Sequence, residues 1–131
     1  MNFASEVLGT IKVKGHINIL LSNTGPSLIR FFTKFVELDD YFDDYLALDA
    51  HDASRQINDT QELKAKALSN YLKSREFSKI VKIGDRESDI EAGKAVGAIT
   101  YFFRNEFNKN CRLNIKPDYE ISDLRDILRE L

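Results

Sequence analysis

Cysteine is all but missing from this 131-residue chain, and the lone Cys111 excludes an internal disulfide. That usage suits a reducing compartment, and nothing beside Cys111 in sequence suggests an activated nucleophile. Histidine is nearly as scarce. His16 and His51 have no second His or Cys at ligand spacing, which argues against a zinc-type centre. Long apolar runs are absent too: a run such as 17–21 falls far short of the ~20 residues that span a bilayer. There is no excess of positive charge, since 19 Lys and Arg face 21 Asp and Glu, giving a formal charge of −2. A nucleic-acid surface is normally basic, so neither nucleic acid nor membrane is an expected partner. The first residues carry no signal-peptide pattern, so the expected location is cytoplasmic. No repeat, low-complexity tract or linker interrupts the chain. Residues 1–131 are therefore read as one domain of ordinary composition, 43% hydrophobic and 31% charged.

What is present alternates. Residues 4–14 place Val7, Leu8 and Ile11 on one helical face and end at Gly15. Residues 17–21 read as a buried strand, closed by Ser22, Asn23, Thr24 and Gly25. Pro26 then suits a first helical turn, and Leu28, Ile29, Phe32, Phe35 and Val36 give the next helix a wide apolar stripe. With Phe31, these phenylalanines are expected in the core. A short strand over 45–48 and a polar loop over 49–59 follow. Asp59 with Glu62 resembles a capping box for a helix over 60–73, where Leu63, Ala67, Leu68, Tyr71 and Leu72 recur at helical spacing. The remainder reads as a strand (80–83), a helix (87–96), a strand (98–103), a polar connection (105–114) and a strand (119–121). Ser122 then caps a final helix carrying Leu124, Ile127, Leu128 and Leu131. Such alternation predicts an α/β fold: a doubly wound, mostly parallel sheet with helices on both faces.

That fold gathers polar groups at the carboxyl ends of its strands. The most informative stretch is KIVKIGDRESDIEAGKAVG, residues 79–97, where a β-branched run ends in Gly84-Asp85 and Asp89 follows as a helix begins. Two acids there can hold a hard cation such as Mg²⁺, which prefers oxygen ligands and keeps waters. The same residues also fit an ordinary strand end, with Ser88 capping the next helix and Asp89 favouring its positive pole. Ser22 and Asn23 lead into another helix amino terminus, where backbone N–H groups favour an anion such as phosphate. Lys64 and Lys66 lie on different faces of the 60–73 helix. Either can serve as a cation beside phosphate, and solvated lysines are the ordinary alternative.

Taken in order, these residues resemble the haloacid dehalogenase (HAD) superfamily, mostly Mg²⁺-dependent phosphatases. ILLSN is similar to the family's second motif, which implies that Ser22, beside Asn23, contacts the phosphoryl group. The third motif is a lysine opening a later helix; Lys64 fits best because Leu68 follows at the family spacing, with Lys66 the runner-up. VKIGDRESD resembles the fourth motif, GDxxxD, implying that Asp85 ligates Mg²⁺ and Asp89 supports its shell. IEAGKAVGAITYFF and PDYEISDLRDILREL look like the family's continuation and closing strand and helix. The resemblance implies a HAD-like domain without a cap, acting on a small phosphorylated metabolite if active.

One departure is plain. The family's nucleophile lies in an early DxDx[TV] motif, and no Asp-x-Asp occurs in this sequence. The chain thus reads as a family member lacking that first motif, its nucleophile unknown, or as a non-catalytic remnant serving binding or assembly. In the family the first-motif strand sits between those assigned to 17–21 and 80–83. Those two are expected to pair directly, or to take a strand from residues 1–5, another copy of the chain or a partner. Of the remaining polar residues, His16 reads as structural and His51 as at most a stray site. The acids Asp39, Asp40, Asp43 and Asp44 form a solvated rim around Tyr41 and Phe42. Arg86, Glu87, Arg104 and Asn105, beside strand ends, either touch substrate or face solvent.

Overall fold

The computed structural model describes residues 3–22, 26–47, 60–73 and 75–131. These fall into two compact units, Met1–Thr60 with Leu124–Leu131, and Gln61–Asp123.

In the first unit, α1 (Ala4–Val13) buries Ala4 and Val7. It packs against a closing 3₁₀ helix (Leu124–Glu130), which buries Leu124 and Ile127. The Arg125 guanidinium lies 3.8 Å over the Phe3 ring. Periodicity predicted an α-helix at this end. The observed 3₁₀ form has three residues per turn, which stacks Leu124 over Ile127 and leaves Leu131 on the surface. β1 (Ile19–Ser22) pairs in parallel with β2 (Asp44–Ala47), Ile19 opposite Asp44 and Ser22 opposite Ala47. α2 (Pro26–Phe35) and a 3₁₀ turn (Asp39–Tyr41) connect them. Buried Asn18 ties the amino ends together. Its side-chain amide donates to the carbonyls of Leu8 and Tyr41, both at 3.0 Å, and its backbone N–H donates to Asp43 Oδ2 at 2.7 Å. Asp43 is therefore a strut within the supposed solvated rim.

The phenylalanines of α2 also depart from expectation. Phe31, Phe32 and Phe35 are exposed, Phe35 at 76%, and pack on one another with centroids 5.9 and 6.3 Å apart. Within the unit α2 rests on β2 and the 3₁₀ turn, and its buried position is Thr33. A two-stranded sheet is too narrow to cover so wide a stripe.

The second unit holds α3 (Thr60–Lys73), β3 (Val81–Gly84), α4 (Glu87–Ala95), β4 (Ile99–Phe103) and β5 (Tyr119–Ile121). Its sheet order is β3-β4-β5, all parallel, with Gly84 opposite Phe102 and Phe103 opposite Ile121. Ile90, Ala92, Tyr101, Phe102 and Ile121 form its core, as expected where a parallel strand is covered. Gly97, at φ 75°, ends α4 in the left-handed conformation, and the Ala98 N–H returns to the Gly93 carbonyl. Asp118 takes the backbone N–H and the hydroxyl of buried Thr100 at 2.8 and 3.0 Å, which holds its carboxyl below the usual range. The architecture is α/β with parallel strands, as the alternation predicted. The described strands form two parallel sheets, β1-β2 in the first unit and β3-β4-β5 in the second.

Candidate functional site

β3 carries Val81, Ile83 and Gly84 to a strand end where the chain turns through Asp85 and Arg86 into α4. Gly84 is required by close approach. A Cβ built on it would overlap Cβ, Cγ and Oδ2 of Asp89. Gly93 repeats the device a few turns along, since its Cβ would lie 2.8 Å from Thr100 Cγ2 and 2.9 Å from Lys82 Cβ. Two glycines thus let α4 lie directly on β3 and β4, and Asp89 is thereby pressed against the strand end. The helix is entered from Arg86, in extended conformation (φ −130°, ψ 152°), without a side-chain cap. Ser88, expected as the cap, lies inside the first turn. Glu87 and Asp89 there complement the positive end of the helix.

The two acids differ in environment. Asp89 is buried, and its Oδ1 lies 3.5 Å from Lys82 Nζ, with the paired side chains 10% and 13% exposed. The Lys82 ammonium also donates to the Ile83 carbonyl at 3.0 Å. Sequence reading passed over Lys82. The available signal was a lysine inside a β-branched strand, which needs a carboxylate if its head is to be buried. Asp85, by contrast, is exposed, and among the described residues its carboxylate has no hydrogen-bond or ion-pair partner.

The segment after β4 brackets this corner. The Asn108 side-chain amide donates to the Asp85 carbonyl at 3.0 Å and to the Phe103 carbonyl at 2.9 Å, while its Oδ1 accepts the Asn105 N–H at 2.7 Å. Glu87 Oε1 accepts the N–H groups of Asn114 and Ile115 at 2.6 and 3.1 Å. Arg104 joins Glu120 at 2.6 Å, donates to the carbonyls of Asn108 and Cys111, and lies over the Phe102 ring. Glu87 and Arg104, read as substrate contacts or solvated groups, are struts.

Asp85 and Asp89 both lie at the β3–α4 corner, and carboxylate oxygens are the donors that Mg²⁺ takes. Among the described residues no three His, Cys, Asp or Glu gather, so a cation here would rely on one or two carboxylates plus water. That is how Mg²⁺ is usually held, whereas structural Zn²⁺ takes four protein ligands and Ca²⁺ six to eight oxygens. Asp85 offers an exposed carboxylate at this corner, and Asp89 one that is braced by Lys82. Ser22 closes β1, in the other unit, at its carboxyl end. Lys64 lies on α3 with its side chain outside the described part, and Lys66 on the same helix is exposed. Asn23, His51 and the Asp59 half of the capping box lie outside the described residues. A cleft of about 740 Å³ lined by Leu72, Arg75, Phe77 and Ile80 opens at the amino end of β3, away from these acids.

A family model described as HAD-hydrolase-like matches residues 59–127, just over half of the chain. The chain belongs to the HAD-hydrolase-like family. The matched span contains the Gly84-Asp85 corner, α4 and the bracketing segment. Solved structures agree in fold. A hydrolase from Streptococcus pneumoniae TIGR4 is 23% identical with a TM-score of 0.62, over 98% of this chain and 57% of that one. A Bacillus subtilis protein described as a HAD-hydrolase and bound to magnesium is 21% identical with a TM-score of 0.71, over 100% and 54%. An archaeal β-phosphoglucomutase from Pyrococcus sp. strain ST 04 is 21% identical with a TM-score of 0.65, over 98% and 55%. This HAD-like chain therefore spans little more than half the length of these three structures. No curated protein gives a significant sequence match. Among the described residues, no helix is long and apolar enough to cross a membrane.

Proposed function

We propose that this HAD-like chain carries the Mg²⁺ and phosphate-binding half of a phosphomonoester hydrolase. The observation that carries the reading is the β3–α4 corner, where Gly84 lets buried Asp89 brace the strand end beside exposed Asp85. In this reading Asp85 ligates the cation and Asp89 supports its shell. Ser22 and Asn23 contact the phosphoryl group, and Lys64, or Lys66 in its place, balances its charge. Mg²⁺ bound there neutralises phosphoryl oxygens and orients water. The magnesium in the Bacillus subtilis relative supports the choice of metal. The nucleophile comes from outside these 131 residues or from an acid other than an Asp-x-Asp pair, which this sequence does not contain. The substrate class is a small phosphorylated metabolite, the compartment cytoplasmic. A second copy or a strand-donating partner completes the sheet beside β1 or β3.

Titration calorimetry with MgCl₂ on the full chain and on Asp85→Ala tests this. Saturable binding that vanishes in the variant is expected, and p-nitrophenyl phosphate turnover, where present, should vanish with it. Equal heats from both proteins refute the reading. The absence of Asp-x-Asp also favours a second reading, a binding or assembly module without catalysis. Mg²⁺-dependent turnover lost on Asp85→Ala would reject it.

A further inference from the structure

We propose that Asn108 is a positioning residue for Asp85, fixing the main chain from which that carboxylate projects. β3 and β4 run in parallel, with Gly84 opposite Phe102, so Asp85 and Phe103 are the next pair along the ladder. β3 stops at Gly84 while β4 runs on through Phe103, and at this step the Asn108 amide takes over between them. One N–H₂ group donates to both carbonyls, at 3.0 and 2.9 Å, linking the two strand ends one step past the last backbone rung.

The side chain that does this is itself fully committed. Its Oδ1 takes the Asn105 N–H at 2.7 Å, and the Asn108 N–H returns to Asn105 Oδ1 at 3.1 Å. The Asn108 carbonyl accepts from Arg104 Nη1 at 2.9 Å, and Arg104 is in turn anchored on Glu120. Holding the Asp85 carbonyl fixes the peptide plane between Asp85 and Arg86. Gly84, packed on Asp89, fixes the plane before it. With both neighbouring planes set, the Cα–Cβ direction of Asp85 is set as well. A bare loop would leave that carboxylate to sample many directions, and every ligand orientation lost on binding weakens a cation site. Groups that orient ligands without touching the metal typically matter by about 10–100-fold in affinity.

The inference rests on the reading of Asp85 as a metal ligand, and two readouts separate the failure of one from the failure of the other. The first needs no metal. Amide ¹⁵N order parameters at Asp85 and Arg86 should fall from about 0.85, typical of rigid backbone, to below about 0.6 in Asn108→Asp and Asn108→Leu. Asp keeps the size and the acceptor for Asn105 but cannot donate, so a packing role alone would leave it rigid. Wild-type order at Asp85 in both variants overturns the proposal. The second readout follows the Asp85 and Arg86 amide shifts on MgCl₂ addition. Asn108→Leu should bind about tenfold more weakly while amides of β4 stay at their wild-type positions. Unchanged affinity in that variant overturns the positioning role. A wild-type chain whose shifts ignore Mg²⁺ refutes the metal reading instead, and the order parameters then decide on Asn108 alone.

Discussion

Replacing Gly84 by alanine adds one methyl group at the point where β3 and α4 touch. The added carbon would overlap Cβ, Cγ and Oδ2 of Asp89, the first of which is rigidly attached to the helix backbone. Carbon atoms rest at about 3.5–4.0 Å, so Asp89 Cβ has to retreat by more than about 1 Å. No rotamer change achieves this, because the nearest clashing atom does not move with χ1. The helix itself must shift. It is seated by Gly93, against which Thr100 and Lys82 already press, and by Ile90 in the core. Retreat therefore opens space under residues that are now close-packed. Overpacking costs typically about 1–3 kcal/mol, and the rigidity of both elements places Gly84→Ala near about 3 kcal/mol. With a urea slope of about 2 kcal/mol/M, the midpoint followed by circular dichroism should fall by about 1.5 M. Asp89→Gly removes the clashing carbon, so the double variant Gly84→Ala/Asp89→Gly should lose about 2 kcal/mol less than the sum of the singles. A Gly84→Ala midpoint within about 0.2 M of wild type, or strict additivity in the cycle, would refute the close-approach argument.

Asp118 should govern part of the acid limb. Its carboxyl is held below the ordinary 3.8 by the Thr100 N–H first and the Thr100 hydroxyl second, with burial opposing and Lys94 assisting. A depressed folded value stabilises above the unfolded one and is lost as pH falls through it. The stability gap between wild type and Asp118→Asn, read from urea midpoints, should thus be constant at neutral pH and shrink below 3.8; a gap that widens on acidification contradicts this. Lys82→Met strips Asp89 of its ion-pair partner at a site with little water, and breaking such a pair should cost about 3 kcal/mol. Wild-type stability in that variant would show that the pair contributes nothing. Arg104→Lys cannot reproduce a fork that reaches Glu120 on one side and two carbonyls on the other. It should cost about 1 kcal/mol and speed limited proteolysis between residues 105 and 114; unchanged cleavage refutes the bracket.

Local rules carried far along this chain. α3 and β5 fall where periodicity put them, and the other strands are displaced by a residue or two, because alternation and turn residues act within a few positions. The Gly84-Asp85 corner was legible for the same reason: a β-branched run, a glycine, an acid and a helix start are all local. Even the glycine's purpose is half visible, since a strand feeding straight into a helix must bring backbones close.

What only the tertiary structure decided involves residues distant in sequence. The pairing of Lys82 with Asp89 depends on how closely α4 lies on β3. Asn108 reaches Asp85 across 23 positions, and Glu87 reaches Ile115 across 28, through a segment that reads as a polar loop. Thr100, a polar residue in a buried strand, finds its partner in Asp118 only when β4 and β5 lie side by side. The exposed phenylalanines of α2 make the converse point, because an apolar stripe states what a helix could cover and leaves open how much surface lies beneath it. Composition and spacing determine which elements form; hydrogen bonds and contacts between them are chosen when the strands stack, and no short-range pattern encodes that choice.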